Sequence, residues 1–296
     1  MPKILITGKN GQVGFELQRS LSILGELVAV DVADCDLSKP EAIRALVREV
    51  QPDIIVHPAA YTAVDKAESE VDLAQTINAT APGVLAEEAA KLGALIVHYS
   101  TDYVFDGTKD GAYTEEDMPN PQSVYGKTKL AGETAVAAAN PKHVILRTSW
   151  VFGAHGANFL KTMLRLAHER DALKIVADQF GAPTSAALLA DVTAQIVAQY
   201  LRAADQATFP FGLYHLVSQG ETSWHGYART VVEAARRHGW QLNVRDIAPI
   251  ATSSYPLPAP RPANSRLSTA KLQQMFGLTL PGWQCQVEQV LTLLRQ

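Results

Sequence analysis

Cysteine is the scarcest residue here: two among 296, Cys35 and Cys285, far apart and in no metal-ligand spacing. That excludes a disulfide framework and argues against a structural zinc site. No apolar run reaches the roughly eighteen residues that a membrane span needs. Met1–Gly8 lacks the basic start and cleavage site of a secretory leader. Neither sign of charge dominates: the net charge is −4 and the 26 lysines and arginines are scattered, a poor match to a nucleic-acid partner. The eight histidines include no H-E-x-x-H, and no G-x-S-x-G elbow occurs, so zinc and serine hydrolase readings lack their motifs. What remains is globular in composition, 47% hydrophobic and 19% charged. A cytoplasmic protein of one large domain or two modest ones is expected.

Short β-branched runs alternate with amphipathic stretches through the first half. Lys3–Thr7, Glu26–Asp31, Asp53–His57, Ala94–Tyr99 and His143–Arg147 read as strands. Between them, Val13, Leu17, Leu21 and Leu24 recur at helical spacing, as do Ile43, Leu46, Val47 and Val50. Ser38 and Glu41 have the spacing of a capping box before the second helix. A helical stretch over 72–92 must start or kink at Pro82, and a further helix covers about Ser123–Ala139. The fold class predicted is α/β, a Rossmann-like doubly wound parallel sheet with a smaller C-terminal α/β domain. Residues 1–150 are assigned to the first unit and 151–296 mainly to the second. The segments near 171–178 and 211–250 are candidates to return to the first. Alternating prolines from Pro256 to Pro262 exclude helix and predict a stiff loop.

The first strand runs into Gly8-Lys9-Asn10-Gly11-Gln12-Val13-Gly14 and then a helix. Glycines at these positions permit the tight turn, the approach of backbone to a pyrophosphate, and close packing of helix on strand. The helix N-terminus behind them offers free N–H groups to an anion. Asp31 ends the next strand, where an acid accepts hydrogen bonds from a ribose 2′-hydroxyl. A carboxylate there favours NADH over NADPH, although Lys9 could offset part of the repulsion of a 2′-phosphate. Asp36 and Leu37 are adenine neighbours in this reading.

Tyr125 and Lys129 lie four apart on a predicted helix, so both leave one face. Thr101 follows the fourth strand, at the sheet edge where ligands of such folds gather. Carbonyl reduction needs a polarising donor and a proton source. Thr101 and Tyr125 supply them, and an ammonium at ~4 Å is sufficient to bring a phenol from about 10 toward 7. His57 and His98 read as satisfied core residues.

Together these residues resemble the extended short-chain dehydrogenase/reductase superfamily. The resemblance narrows with AAYTAVDKAE (Ala59–Glu68), YSTDYVFDG (Tyr99–Gly107), YGKTKLAGE (Tyr125–Glu133), RTSWVFG (Arg147–Gly153), DQFGAPT (Asp178–Thr184) and RPANSRL (Arg261–Leu267). In that order they are similar to the dTDP-4-dehydrorhamnose reductase family over essentially the whole chain. The resemblance implies hydride delivery from NADPH or NADH to the C4 keto group of dTDP-4-dehydro-β-L-rhamnose. It places cofactor contacts at Gly11, Gln12, Val13, Asp31, Asp36, Leu37, Ala60, Tyr61, Thr62 and Tyr99. Tyr125 would be the proton donor, and Lys129 would orient the ribose and lower the phenol's pKa. Thr101, Asp102 and Trp150 would face the sugar nucleotide. The family also implies a homodimer, in some members with Mg²⁺ at the dimer contact. Glu16 is present here, but Ala186–Ala187 carry no acid, which argues against a Mg²⁺ requirement.

Independently of the family, a nucleotide-sugar pyrophosphate needs cations or backbone donors in the second domain, and Arg261 and Arg266, around Asn264 and Ser265, are the expected contacts. Two other functions compete. One is a reductase or epimerase of another nucleotide sugar, and the other is a non-catalytic, nucleotide-binding regulatory subunit. The intact Thr101, Tyr125 and Lys129 set speaks against the second.

Overall fold

The computed structural model describes residues 1–295. Six strands form one parallel sheet: β1 (Lys3–Thr7), β2 (Glu26–Val30), β3 (Ile54–His57), β4 (Leu95–Thr101), β5 (His143–Thr148) and β6 (Gly212–His215). Their order is β6-β5-β4-β3-β1-β2. Alternation along β1 shows how the sheet is covered. Ile4 and Ile6 enter one apolar core with Leu17, Leu21, Leu189 and Ile196, while Leu5 enters another with Ile43, Val47, Leu85 and Val136. Helices Gln12–Leu21 and Ala186–Arg202 therefore cover one face, and Pro40–Val50, Ala81–Leu92 and Val124–Ala139 the other. With both faces covered, every residue of β3 and β4 is buried.

A further core gathers Phe152, Leu160, Met163, Tyr227, Val231 and Trp283 beneath helices Phe159–Glu169, Trp224–Arg237 and Trp283–Leu294. Of the two segments considered for return to the first unit, only the start of the second, Gly212–His215, reaches the large sheet, where it joins β5. Ala172–Val176 pairs in parallel with Asp246–Ile250 in a sheet of its own.

Two local expectations need correction. The capping box does not form, because helix Pro40–Val50 begins with proline in its first turn and Lys39 as its cap. Ser38 sits one residue too early and donates instead to Asp36 at 2.7 Å. Before Pro82 the chain makes a π-helical turn over Thr76–Thr80, continuous with Ala81–Leu92, so the interruption is a bulge rather than a break. No helix among the described residues is long and apolar enough to cross a membrane.

Candidate active site

The C-terminal ends of β1, β3, β4 and β5 open onto a cleft of about 520 Å³ lined by Gly8, Gly11, Gln12, Val13, Gly14, Asp31, Ala60, Thr62, Tyr99, Tyr125 and Lys129, among others. Both the glycine turn and the tyrosine–lysine pair thus face one space. A smaller cavity of about 170 Å³ adjoins it and shares Gly8, Asp31 and Ala60, with Asp36 and Leu37 on its wall.

The turn is built as its glycines require. A Cβ on Gly14 would lie 2.0 Å from the Gly8 carbonyl oxygen, so any side chain there would lift the helix off the strand. Helix Gln12–Leu21 starts from Gly11 with no side-chain cap, which leaves its first N–H groups for an anion. These features fit a dinucleotide pyrophosphate.

Asp31 accepts from the Asn10 N–H at 2.9 Å and the Val32 N–H at 2.8 Å. Lys9 does not stand free to offset its charge, because its ammonium is paired with Asp34 at 2.7 Å. The edge of the small cavity is therefore acidic. Asp31→Asn is expected to shift the ratio of NADP⁺ to NAD⁺ dissociation constants about tenfold toward NADP⁺. Titrating both nucleotides checks this, and an unchanged ratio removes Asp31 from the ribose.

Helix Val124–Ala139 carries the reactive pair. Ser123 caps it, accepting from the Gly126 N–H at 3.1 Å. Gly132 lets the helix press onto the π turn: a Cβ there would lie 2.1 Å from the Asn78 carbonyl oxygen. Asn78 in turn accepts from the Tyr61 N–H at 2.8 Å and donates to the Tyr61 carbonyl and to Thr128. One buried amide thereby fixes both the 60–62 loop and the residue beside Lys129. Sequence reasoning missed Asn78, which lies among Gln75, Thr76 and Thr80 and so carries no signal of its own.

The Lys129 ammonium is buried and donates to the Tyr99 carbonyl at 2.7 Å. Burial lowers its pKa to about 8, with Glu133 pulling the other way. For Tyr125 the sequence expectation is corrected. Burial pushes the phenol up to about 12, a hydrogen bond with Thr101 opposes this, and Asp102 adds to it. Desolvation is the largest influence on the phenol, which therefore keeps its proton. Thr101 is buried, donates to Asp102 at 3.1 Å and accepts from the Tyr103 N–H at 3.2 Å. Burial raises the Asp102 carboxyl to about 6.

One turn beyond Lys129, Glu133 takes two hydrogen bonds from Arg147 of β5, at 2.8 and 2.6 Å. Both side chains are buried, and the pair clamps the reactive helix to the sheet. Arg147→Leu leaves a buried carboxylate unpaired and should cost about 3–5 kcal/mol, a melting temperature lower by roughly 10 °C. Adding Glu133→Leu should restore most of the loss. Equal melting of the single and double variants would show that the charge is not what is destabilising.

Other expected site residues are placed as follows. Tyr99 lines the cleft, but its hydroxyl is engaged by Thr193 and its carbonyl by Lys129. Tyr61 directs its hydroxyl at Glu70 and lines neither cavity. Trp150 holds a left-handed backbone (φ 49°) and stacks on Trp224 with centroids 3.7 Å apart. Arg261 pairs with Asp65 at 2.7 Å and lies over the Tyr103 ring. The Glu16 carboxylate faces Arg19 at 3.5 Å.

The profile of the RmlD substrate binding domain matches residues 2–296. The chain belongs to the dTDP-4-dehydrorhamnose reductase family. Its likeness to the dTDP-4-dehydrorhamnose reductase of Salmonella typhimurium is 52% identity over 293 residues, 98% of this chain and 97% of that one. Among solved structures, the family member from Clostridium acetobutylicum superposes with a TM-score of 0.91 at 40% identity, covering 99% of this chain and 100% of the other. The Bacillus anthracis reductase, solved in complex with NADP, gives a TM-score of 0.90 at 35% identity over 98% of this chain and 99% of that one.

Proposed function

We propose that the chain reduces the C4 keto group of dTDP-4-dehydro-β-L-rhamnose to give dTDP-L-rhamnose, using NADPH or NADH. The observation that carries this reading is the single cleft shared by the glycine turn, Asp31, Tyr125 and Lys129. Family membership supplies the substrate class.

When bound, the nicotinamide supplies the hydride that reaches the carbonyl carbon. The chain's own residues do the rest. The open N–H groups at the start of helix Gln12–Leu21 hold the pyrophosphate, and Asp31 holds the adenosine ribose. Thr101, redirecting the hydroxyl that otherwise donates to Asp102, gives a hydrogen bond to the carbonyl oxygen, and Tyr125 delivers the proton as charge develops there. A phenol held near 12 is always protonated in the working range, as a donor must be. It is also a reluctant donor, and the Lys129 ammonium stabilises the phenolate left behind. Asp102 and Trp150 border the sugar nucleotide in this proposal. Arg261 meets the pyrophosphate of the sugar nucleotide by exchanging Asp65 for it.

The test is the absorbance of reduced nicotinamide in the presence of dTDP-4-dehydrorhamnose. Loss of absorbance with a dTDP-6-deoxyhexose product supports the reading. Nucleotide binding without turnover favours a regulatory subunit, and turnover only with another nucleotide sugar moves the substrate assignment.

A further inference from the structure

Beneath the cleft runs a row of buried polar side chains that the proposed chemistry does not use. Thr7, His57 and His98 sit at or near the ends of β1, β3 and β4, and His57 and His98 are direct register partners. Thr7 Oγ1 and His57 Nδ1 are 2.7 Å apart, and the two imidazoles stack with centroids 5.3 Å apart. The row ends at Lys129, whose Nζ lies 3.5 Å from His98 Nε2, at the outer edge of hydrogen-bonding distance. His57 Nε2 and His98 Nδ1 have no hydrogen-bond partner. The expectation of two satisfied core histidines therefore holds for burial but only half for hydrogen bonding, since each ring keeps one nitrogen without a partner.

An ammonium has three donors. The Tyr99 carbonyl takes one of them. We infer that His98 is a positioning residue for Lys129, its neutral Nε2 accepting a second N–H so that the third is aimed into the cleft. This rests on the reading of Lys129 given above.

The surroundings fit an imidazole that stays uncharged. Burial and the Lys129 charge push both histidines down, His57 to about 3. The titratable groups around Lys129 are His98 and His57 from the strands, and Tyr125 and Glu133 from its own helix. Glu133 is already engaged by Arg147 of β5. A neutral acceptor at His98 therefore favours the charged amine without adding a competing positive charge. With Nε2 as the acceptor, the His98 proton resides on Nδ1.

Imidazole ¹⁵N NMR of the intact protein tests this without turnover. His98 should show a bare Nε2 and a protonated Nδ1 from pH 5 to 9, with the Nε2 resonance moving as Lys129 titrates. A protonated Nε2 overturns the proposal, since it cannot accept. In the pH profile of turnover, His98→Leu should lower the alkaline limb by about one pH unit, the size expected for one hydrogen bond to a charge. His98→Gln, which keeps an acceptor, should restore the wild-type limb. A limb unmoved in folded His98→Leu, or moved equally in both variants, contradicts the proposal. Lys129→Met separates the two readings. Persistence of the limb there removes Lys129 from the chemistry, while the NMR tautomer of His98 reports independently.

Discussion

Tyr125→Phe is expected to lower kcat for keto reduction by about 10³-fold, within the range for loss of a positioned general acid. KM for the nucleotide sugar should change little, because the hydroxyl acts mainly as the proton transfers. The hydroxyl's one side-chain partner is Thr101 at the end of β4, so stability should fall by no more than about 1 kcal/mol and melting stay close to wild type. Comparing kcat, KM and melting temperature for the two proteins checks all three statements. A variant that keeps wild-type kcat would assign the proton to another group, and Asp102, raised to about 6 by burial, would be the one to examine.

Lys129→Met is expected to abolish most activity while making the fold no weaker. The sign follows from linkage. The lysine titrates near 8 in the folded protein and at about 10.5 otherwise. Below pH 8 both states carry the proton and the full cost of the buried charge is present. Between pH 8 and 10.5 the folded state has released its proton first, so stability rises with pH. Methionine removes that cost, up to about 3 kcal/mol, but leaves the Tyr99 carbonyl without its donor, a loss of about 1–2 kcal/mol. A gain of about 1–2 kcal/mol at pH 7, shrinking at pH 9.5, is the net expectation. Activity should fall about 10²-fold or more. In the wild-type protein turnover should fall above pH 8 while the lysine's contribution to stability improves. Thermal melts and kcat at the two pH values test this, and a variant markedly less stable at pH 7 would contradict it.

The legible parts of this molecule were those written locally. A β-branched strand followed by three spaced glycines and an amphipathic helix is contained in Lys3–Leu21, and the tyrosine–lysine pair needs only one helical turn. Alternation of short β-branched runs with amphipathic helical stretches made the parallel sheet readable. What escaped depends on residues brought together from afar. Asp65 meets Arg261 across 196 positions of sequence, and Asn78 reaches Tyr61 and Thr128 only because a π turn rotates it there. The His57–His98 stack depends on strand register, which periodicity does not reveal. Lys129 and Tyr125 were placed correctly on one helix face, yet the electrostatics went the other way. Burial, a tertiary property, dominates both groups. The capping box was misread for a smaller reason: proline already fills the first turn, so the motif sits one residue out of phase.

The central claim is that this cleft places a hydride donor and Tyr125 on one carbonyl carbon and its oxygen. The most direct measurement uses NADPH deuterated at the transferred C4 position, with dTDP-4-dehydro-β-L-rhamnose as acceptor and the product examined by NMR and mass spectrometry. The account predicts dTDP-L-rhamnose carrying one deuterium at sugar C4, formed about 10³-fold more slowly by Tyr125→Phe. Deuterium at any other carbon, or a product epimeric at C4, would contradict it.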